Sequence, residues 1–350
     1  MNKFSTVLLA LCAVFCAASC QLRPLEDPEE SIVLKVVVHD ENISNVTCDI
    51  YNDELTRPVI STDMIRAMFY DPMTGDLVTQ AFISQKGTTT DGRPCIGGTI
   101  KISPGNYNLV CYNFDTANTL VSGDSGYESI YAYTNDVSSV LKTRFIASRA
   151  DKAAEKAWED LTIKYDPDHL VVSRDPNLRI GPHSGVLTIE TDAYTCIDTY
   201  YLQVRVKGLQ YANTASAVVT GMSPSNHFAI DSRDTENPSA LYFELQKSQD
   251  SRITDANKDV LCTLFNTFGR VYEAESDLSI TFSVITRDGK SLFYDIPMDN
   301  VFLTEDALKR HWLLIEDTIT IPEPDDPETE NGGFQPRVDD WDVEHGEIAI

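Results

Sequence analysis

The sequence predicts an all-β fold: two tandem β-sandwich domains, with one extra helix and a C-terminal strand segment. Three observations carry this. Short apolar runs with two-residue alternation recur along most of the chain. Clusters of Gly, Pro, Asn and Asp separate them, and only one stretch keeps a helical period. Roughly 330 residues remain once an N-terminal export segment is set aside, which suits two domains of ordinary size.

The N-terminus reads MNKFSTVLLALCAVFCAASC. Lys3 gives it a positive start, and Val7 to Ala18 is an apolar run. That run is shorter than the about 20 residues needed to cross a hydrocarbon core, so it fits a cleaved export signal. Ala17, Ala18 and Ser19 are small enough for the narrow subsites of a signal peptidase. Cys20 follows directly, as in the sites where bacterial processing attaches a diacylglycerol to the thiol. The expectation is a lipoprotein signal peptide over 1–19, lipid on Cys20 and a polar, proline-bearing tether over 20–30. Ala17 departs from the leucine commoner at that position. The alternative is an ordinary signal peptide with an incidental cysteine. No other stretch is apolar for long enough to span, so a water-soluble body on a lipid tether is expected. One acyl chain holds a protein to a membrane only weakly, and this modification supplies several.

An N-terminal sandwich is expected over 31–165. Ile32–Val38 and Met64–Tyr70 read as strands, and the turn DPMTGD leads from the second to Leu77–Ile83 as a hairpin partner. Ile96–Ile102 and Tyr107–Phe114 flank the turn SPGN. Pro104 presets φ there, and Gly105 is expected to supply the positive φ of a type II turn. Residues 146–161, IASRADKAAEKAWEDL, carry the helical period: Ala153, Ala157 and Leu161 share one face. Tyr165-Asp166-Pro167 then reads as a domain junction.

A second sandwich is expected over 166–321. Tyr200, Leu202, Val204 and Val206 alternate with Tyr201, Gln203 and Arg205, the pattern of a half-buried strand. Ala217–Met222, Ala240–Gln246 and Val260–Phe265 are similar. Leu278, Ile280, Phe282 and Val284 alternate with Ser279, Thr281 and Ser283, and Asp288-Gly289 turns that strand back into 291–296. Residues 305–313 read as a helical turn before Ile315–Ile321. The acidic, proline-rich stretch PEPDDPETENGG then opens 322–350, a linker followed by a C-terminal strand. Phe334, Val338, Trp341, Ile348 and Ile350 are apolar, and a solvated tail has no need of them. They form the candidate strand-addition segment. It can close an edge of its own domain or enter a neighbour. The first is favoured for a chain-terminating component, which gains from a satisfied edge.

The net charge of −26 opposes nucleic acid and anionic membrane surfaces as partners. Five cysteines lie beyond Cys20, at 48, 95, 111, 196 and 262. An odd number without C-x-x-C spacing argues for free, buried thiols and against a disulfide framework or zinc knuckle. Gly123-Asp124-Ser125-Gly126 matches the sequence around a serine-protease nucleophile. The six histidines lie in no protease-like motif and lack H-x-x-x-H spacing, so the stretch reads as a polar turn. Asp325–Glu330 lacks the ordered spacing of a calcium loop. No P-loop or dinucleotide motif occurs. The expectation is no enzyme, no cofactor and no metal site. The abundant carboxylates still leave a glycosidase-like pair open.

Residues 100–113, IKISPGNYNLVCYN, resemble the strand, P-G-x-Y, strand hairpin of transthyretin-like sandwiches. Ala217-Val218-Val219-Thr220-Gly221-Met222 resembles a strand of the fimbrillin-like lipoproteins of Bacteroidetes. The ending, from Gly332-Gly333-Phe334 through Val338-Asp339-Asp340-Trp341 to Glu347–Ile350, resembles their terminus. The resemblance points to the FimB-type anchor and minor-subunit branch. It implies two transthyretin-like sandwiches and a structural role in a fimbria-like surface assembly with cell adhesion. It also implies an outer-membrane location through the lipid on Cys20 and other fimbrial subunits as partners, joined by β-strand addition. The alternative is a surface glycan-binding lipoprotein, with Tyr127, Tyr131 and Tyr133 as a platform. An exposed coplanar ring pair would favour it.

Overall fold

The computed structural model describes residues 31–39, 55, 60–147, 160–271 and 278–324. Six strands come first: β1 (Ser31–His39), β2 (Ile65–Tyr70), β3 (Leu77–Ile83), β4 (Gln85–Thr88), β5 (Pro94–Lys101) and β6 (Gly105–Asn113). An excursion follows, with β7 (Leu120–Ser122), β8 (Tyr131–Tyr133), helix α1 (Ser139–Ala147) and β9 (Ile163–Tyr165). Next come β10 (Val171–Ile180), β11 (Leu187–Thr195), β12 (Asp198–Lys207), β13 (Ala212–Met222), β14 (Ser225–His227) and β15 (Ser232–Arg233). The chain continues through β16 (Ser239–Gln249), β17 (Asp259–Thr267), β18 (Ser279–Thr286), β19 (Ser291–Pro297), helix α2 (Glu305–Arg310) and β20 (Trp312–Thr320).

The first sheet has the order β3-β2-β6-β10-β11-β1-β5-β4. β10 meets β11 only at Val171↔Thr195 and Val172↔Tyr194. The sheet therefore hinges there into two four-stranded leaves. They close over Leu34, Ala67, Phe69, Leu109, Cys111 and Val171, all fully shielded from solvent. The second sheet runs β19-β18-β13-β16-β17-β12-β20. Here β16 serves both leaves: Ser239–Leu245 pairs with β13 and Gln246–Gln249 with β17. Its core includes Leu202, Val204, Ala217, Phe282 and Leu313.

The two sandwiches are one topology used twice. Each begins on a strand that pairs in parallel with its last, β1 with β11 and β12 with β20. Each has a strand that changes leaf, β3 continuing as β4 in the first and β16 in the second. The fold is all-β with two sandwich-like domains, as the sequence indicates.

Two expectations change in detail. The sequence places a junction at 165/166, yet β10 and β11 belong to the first sheet, so that sheet extends to residue 195. These strands are hidden in the sequence because β10 contains Pro176 and a bulge at Asn177 with φ 87°, which read as turn signals. The helical period points to 146–161; helix α1 takes in Ile146 and Ala147, Asp160 is helical, and 148–159 lie outside the described residues. Gly105 does not take the positive φ of a type II turn. It enters β6 opposite Ile180, and Tyr107 closes the turn by donating its hydroxyl to the Ser103 carbonyl at 2.8 Å.

The excursion between β6 and β10 clasps the second sandwich. β8 pairs with β14, β9 adds in parallel to β16, and α1 lies on the outer face of β13 and β18. Arg144 Nη2 donates to Ser283 Oγ at 2.7 Å and Ser216 Oγ at 3.2 Å. Ser283, a polar residue the alternation assigns to solvent, is therefore fully buried; Thr281 is fully buried as well and donates to Asp295 Oδ1 at 2.6 Å. Tyr201 is likewise buried, against Leu55, Cys262 and Trp312.

The chain returns from the clasp through Asp166–His169, which pack on the start of the second sandwich. Asn266 Nδ2 donates to the Pro167 carbonyl at 2.9 Å, and His169 Nδ1 and Nε2 each lie 3.3 Å from a threonine hydroxyl, Thr195 and Thr199. Burial raises the Asp166 carboxyl to about 6 and lowers the His169 imidazole to about 4. The signs oppose. Between their ordinary and shifted values, folded Asp166 holds a proton the unfolded chain releases, so its contribution falls as pH rises to 6. Folded His169 lacks a proton the unfolded chain takes up, so its contribution rises from pH 4 to about 6.5. Together they leave stability nearly level between pH 4 and 6. Asp166→Asn should make stability climb over that window, and His169→Asn should make it decline. Each change amounts to no more than about 3 kcal/mol relative to the native chain. Melting temperatures across pH 4–7 check this; parallel profiles for all three proteins would refute it.

Candidate functional site

Cys20 and the strand-addition residues Phe334, Val338, Trp341, Ile348 and Ile350 lie outside the described residues, as do Cys48 and Asp325–Glu330. Cys95, Cys111 and Cys196 are free thiols, and Cys95, Cys111 and Cys262 are buried. No described helix is long and apolar enough to cross a membrane, and no cluster of metal-ligating side chains occurs among the described residues.

The tyrosines of the glycan alternative do not form a platform. Tyr127 packs edge-on against Tyr70, with centroids 5.7 Å apart at 68°, and donates its hydroxyl to the Ala229 carbonyl at 3.2 Å. It braces one sandwich against the other. Tyr131 and Tyr133 are half-buried on β8 and tilted by 41°. A stacked pair the sequence did not reveal is His39 on Tyr194, 4.6 Å apart at 12°. Those rings lie face to face, so each covers one face of the other.

Gly123–Gly126 is a turn, as its residues suggest. The Gly126 N–H donates to the Gly123 carbonyl at 3.3 Å, and Gly123 has φ 69°. A Cβ at Gly123 would overlap the Ser129 carbonyl oxygen, so the position admits only glycine. The Ser125 carbonyl accepts from the Leu77 N–H at 3.1 Å, which pins the turn to the start of β3.

Among the described residues, β3 beyond Leu77 is an open edge with β2 as its neighbour in the sheet. Edge strands expose a row of unpaired backbone groups, and folded proteins blunt them with charge, proline, bulges or shortness. The other sheet edges follow this rule. β19 carries Asp295 and Pro297, β4 is short with Lys86, and β9 is three residues long with Lys164. β20 exposes Glu316 and Asp317 beside a register shift, and β7 has three residues. β3 does not follow it. Its sequence, LVTQAFI, has neither charge nor proline, and Val78 and Phe82 are 51% and 53% exposed.

The wall beside this edge is aromatic and rigid. Phe82 meets Phe114 edge to face at 5.1 Å, and the Arg66 guanidinium lies 5.8 Å and 5.6 Å from their centroids. Arg66 is itself fixed, donating to Gln80 Oε1, Tyr112 Oη and Asp124 Oδ2 at 2.8 Å each. Beside β4, a cavity of about 290 Å³ opens among Val36, Val38, Ile60, Gly87, Cys95 and Ile96. An extended segment laid along β3 would satisfy the open backbone groups and present alternate side chains to this wall. The second sandwich shows the arrangement filled, for β16 is the counterpart of β3 and carries β9 in parallel at Ala240–Tyr242.

Residues 62–244 match the family described as Domain of unknown function (DUF5119). The match starts just before β2 and ends within β16, so it takes in the clasp and the edge it covers. The chain is 27% identical over 158 residues to the Bacteroides ovatus protein named "Putative fimbrium anchoring subunit Fim4B". That alignment covers 45% of this chain and 42% of the relative, so it spans less than half of either. Among solved structures, a Bacteroides ovatus protein described as a "putative adhesin" shares the fold. Its TM-score is 0.55 at 21% identity, over 88% of this chain and 98% of that one. The fimbrial anchor protein Mfa2 from Porphyromonas gingivalis gives a TM-score of 0.45 at 8% identity, over 85% and 92%.

Proposed function

The chain belongs to the family described as Domain of unknown function (DUF5119), and from that premise we propose that it is an anchoring or minor subunit of a fimbria-like cell-surface assembly. Lipid on Cys20 holds it to the outer membrane. Residues 1–19 are removed, 20–30 form the tether, and the strands of 31–195 and 198–321 are the two domains. Partner subunits join by β-strand addition, and 334–350 supplies a strand through Phe334, Val338, Trp341, Ile348 and Ile350. The role is structural and needs no catalyst.

The observation that carries this reading is the uncharged edge of β3. A seven-residue strand of this composition is an aggregation hazard if left bare. It is stable in an exported protein when another strand covers it. The similarity to a protein named for fimbrium anchoring supports the assembly as the setting.

The test places charge on the edge. Val78 and Phe82 are half exposed, so Val78→Lys with Phe82→Lys should leave the melting temperature within a few degrees of native. Lysine on an edge opposes strand addition. Subunits that co-isolate with the native protein from detergent-solubilised outer membranes should fall at least about tenfold, the loss of one tight contact. A folded, surface-located double variant that retains the native set of subunits would overturn the reading.

A further inference from the structure

We infer that the chain is built as a tension-resisting link, in which force from the tether falls in shear on parallel pairs of terminal strands. This rests on the proposed anchoring role, which puts the tether and the assembly at different points of one chain. The observation is topological. The tether enters the first sandwich at the start of β1, and the chain leaves it at the end of β11. The two strands run parallel, in register from Ile32↔Leu187 to His39↔Tyr194.

Because the strands are parallel, their starts lie at one end of the pair and their finishes at the other. Pulling back on Ser31 and forward on Thr195 slides one strand along the other. Every hydrogen bond between them is then loaded together. Had the pair been antiparallel, or the chain left at the same end, the bonds would break in succession. β1 is also held on its far side by β5, from Ser31↔Lys101 to Val36↔Ile96. Side chains tie the pair across its outer surface: Lys35 Nζ to Glu190 Oε1 at 3.3 Å, His39 Nε2 to Asp192 Oδ1 at 2.7 Å, and the His39–Tyr194 stack.

The second sandwich repeats the device. β12 and β20 run parallel from Tyr201↔Trp312 to Lys207↔Thr320, and β17 holds the other side of β12. Only Cys196 and Ile197 separate β11 from β12, so tension leaving one pair enters the next almost directly. The clasp keeps the two sandwiches from hinging apart meanwhile, through β8 on β14 and β9 on β16. Load leaving beyond Thr320 crosses both pairs.

The experiment is single-molecule pulling on the purified, unlipidated full-length mature chain. Handles at the two ends should give two unfolding steps, each releasing chain that matches one sandwich at roughly 3.5 Å per residue. A second attachment uses the same fold differently. Gln210 and Glu323 lie just beyond the same end of the β12–β20 pair, where the Ile321 N–H donates to the Lys207 carbonyl at 2.8 Å. Handles there peel the pair bond by bond, and the second sandwich should yield at less than half the end-to-end force. Equal forces in the two geometries would overturn the inference. So would end-to-end unfolding at forces as low as peeling. Neither result depends on lipid or partner, so failure here is distinct from failure of the anchoring role, which the Cys20 and β3 variants report.

Discussion

Phe145→Ala is expected to destabilise the protein by about 3–5 kcal/mol, as truncation of a fully buried phenylalanine does. Phe145 is completely shielded on α1 and touches Tyr242 and Phe293 edge to face, with centroids 6.1 Å and 6.0 Å away. It ties the excursion to the outer face of the second sandwich, beside Val137, Ile163, Val218 and Ala240. A helix of nine residues is marginal by itself, so without this side chain α1 should leave the sheet. Arg144 would then release Ser216 and Ser283, which lie among buried polar residues. The melting temperature should drop by several degrees, and backbone amides of 139–147 should exchange with solvent well before those of β13 and β18. Val140, 80% exposed on the same helix, is the control: Val140→Ala should change neither. A Phe145→Ala protein with native melting and native exchange would show that the clasp does not depend on α1.

Cys20→Ser should move the protein from the membrane fraction to the soluble one, or leave the unprocessed precursor behind. The expected fall in the membrane-to-soluble ratio is about a hundredfold or more, because under the proposed lipidation the acyl chains would supply nearly all the membrane affinity. The remaining chain is strongly acidic, at −26 before the loss of Lys3 with the signal, and is repelled by anionic lipid. Fractionation after export, with metabolic labelling by a fatty acid, measures both outcomes. Correctly exported Cys20→Ser that remains membrane-bound would show that another segment holds the protein there.

Much of the fold is legible in the sequence because strands obey a period of two. Leu278, Ile280, Phe282 and Val284 announce β18, and Asp288-Gly289 announces its hairpin, with Gly289 at φ 83°. The β2–β3 hairpin is legible in the same way, through the turn at Gly75. β10 is not, because Pro176 and Asn177 break its period and the bulge that tolerates them exists only against β6.

The candidate edge is half legible. That LVTQAFI is an uncharged strand is plain from the sequence, but whether it lies inside a sheet or at its rim depends on which strands come to lie beside β2.

By itself, the sequence determined the all-β class, the position of most strands and which face of each is apolar, since these follow from local alternation and turn chemistry. It also supplied the expectation of an export signal and of lipid on Cys20, which are read from the chain without any fold. Only the tertiary structure decided where the first sandwich ends, that both sandwiches share one topology and that their terminal strands run parallel. It alone showed that Ser283 is buried beneath Arg144 of α1 and that Thr281 is buried too. The physical reason is that these are pairings between residues far apart in the chain. A strand's own residues state that it has two faces and two edges, but not what will cover them.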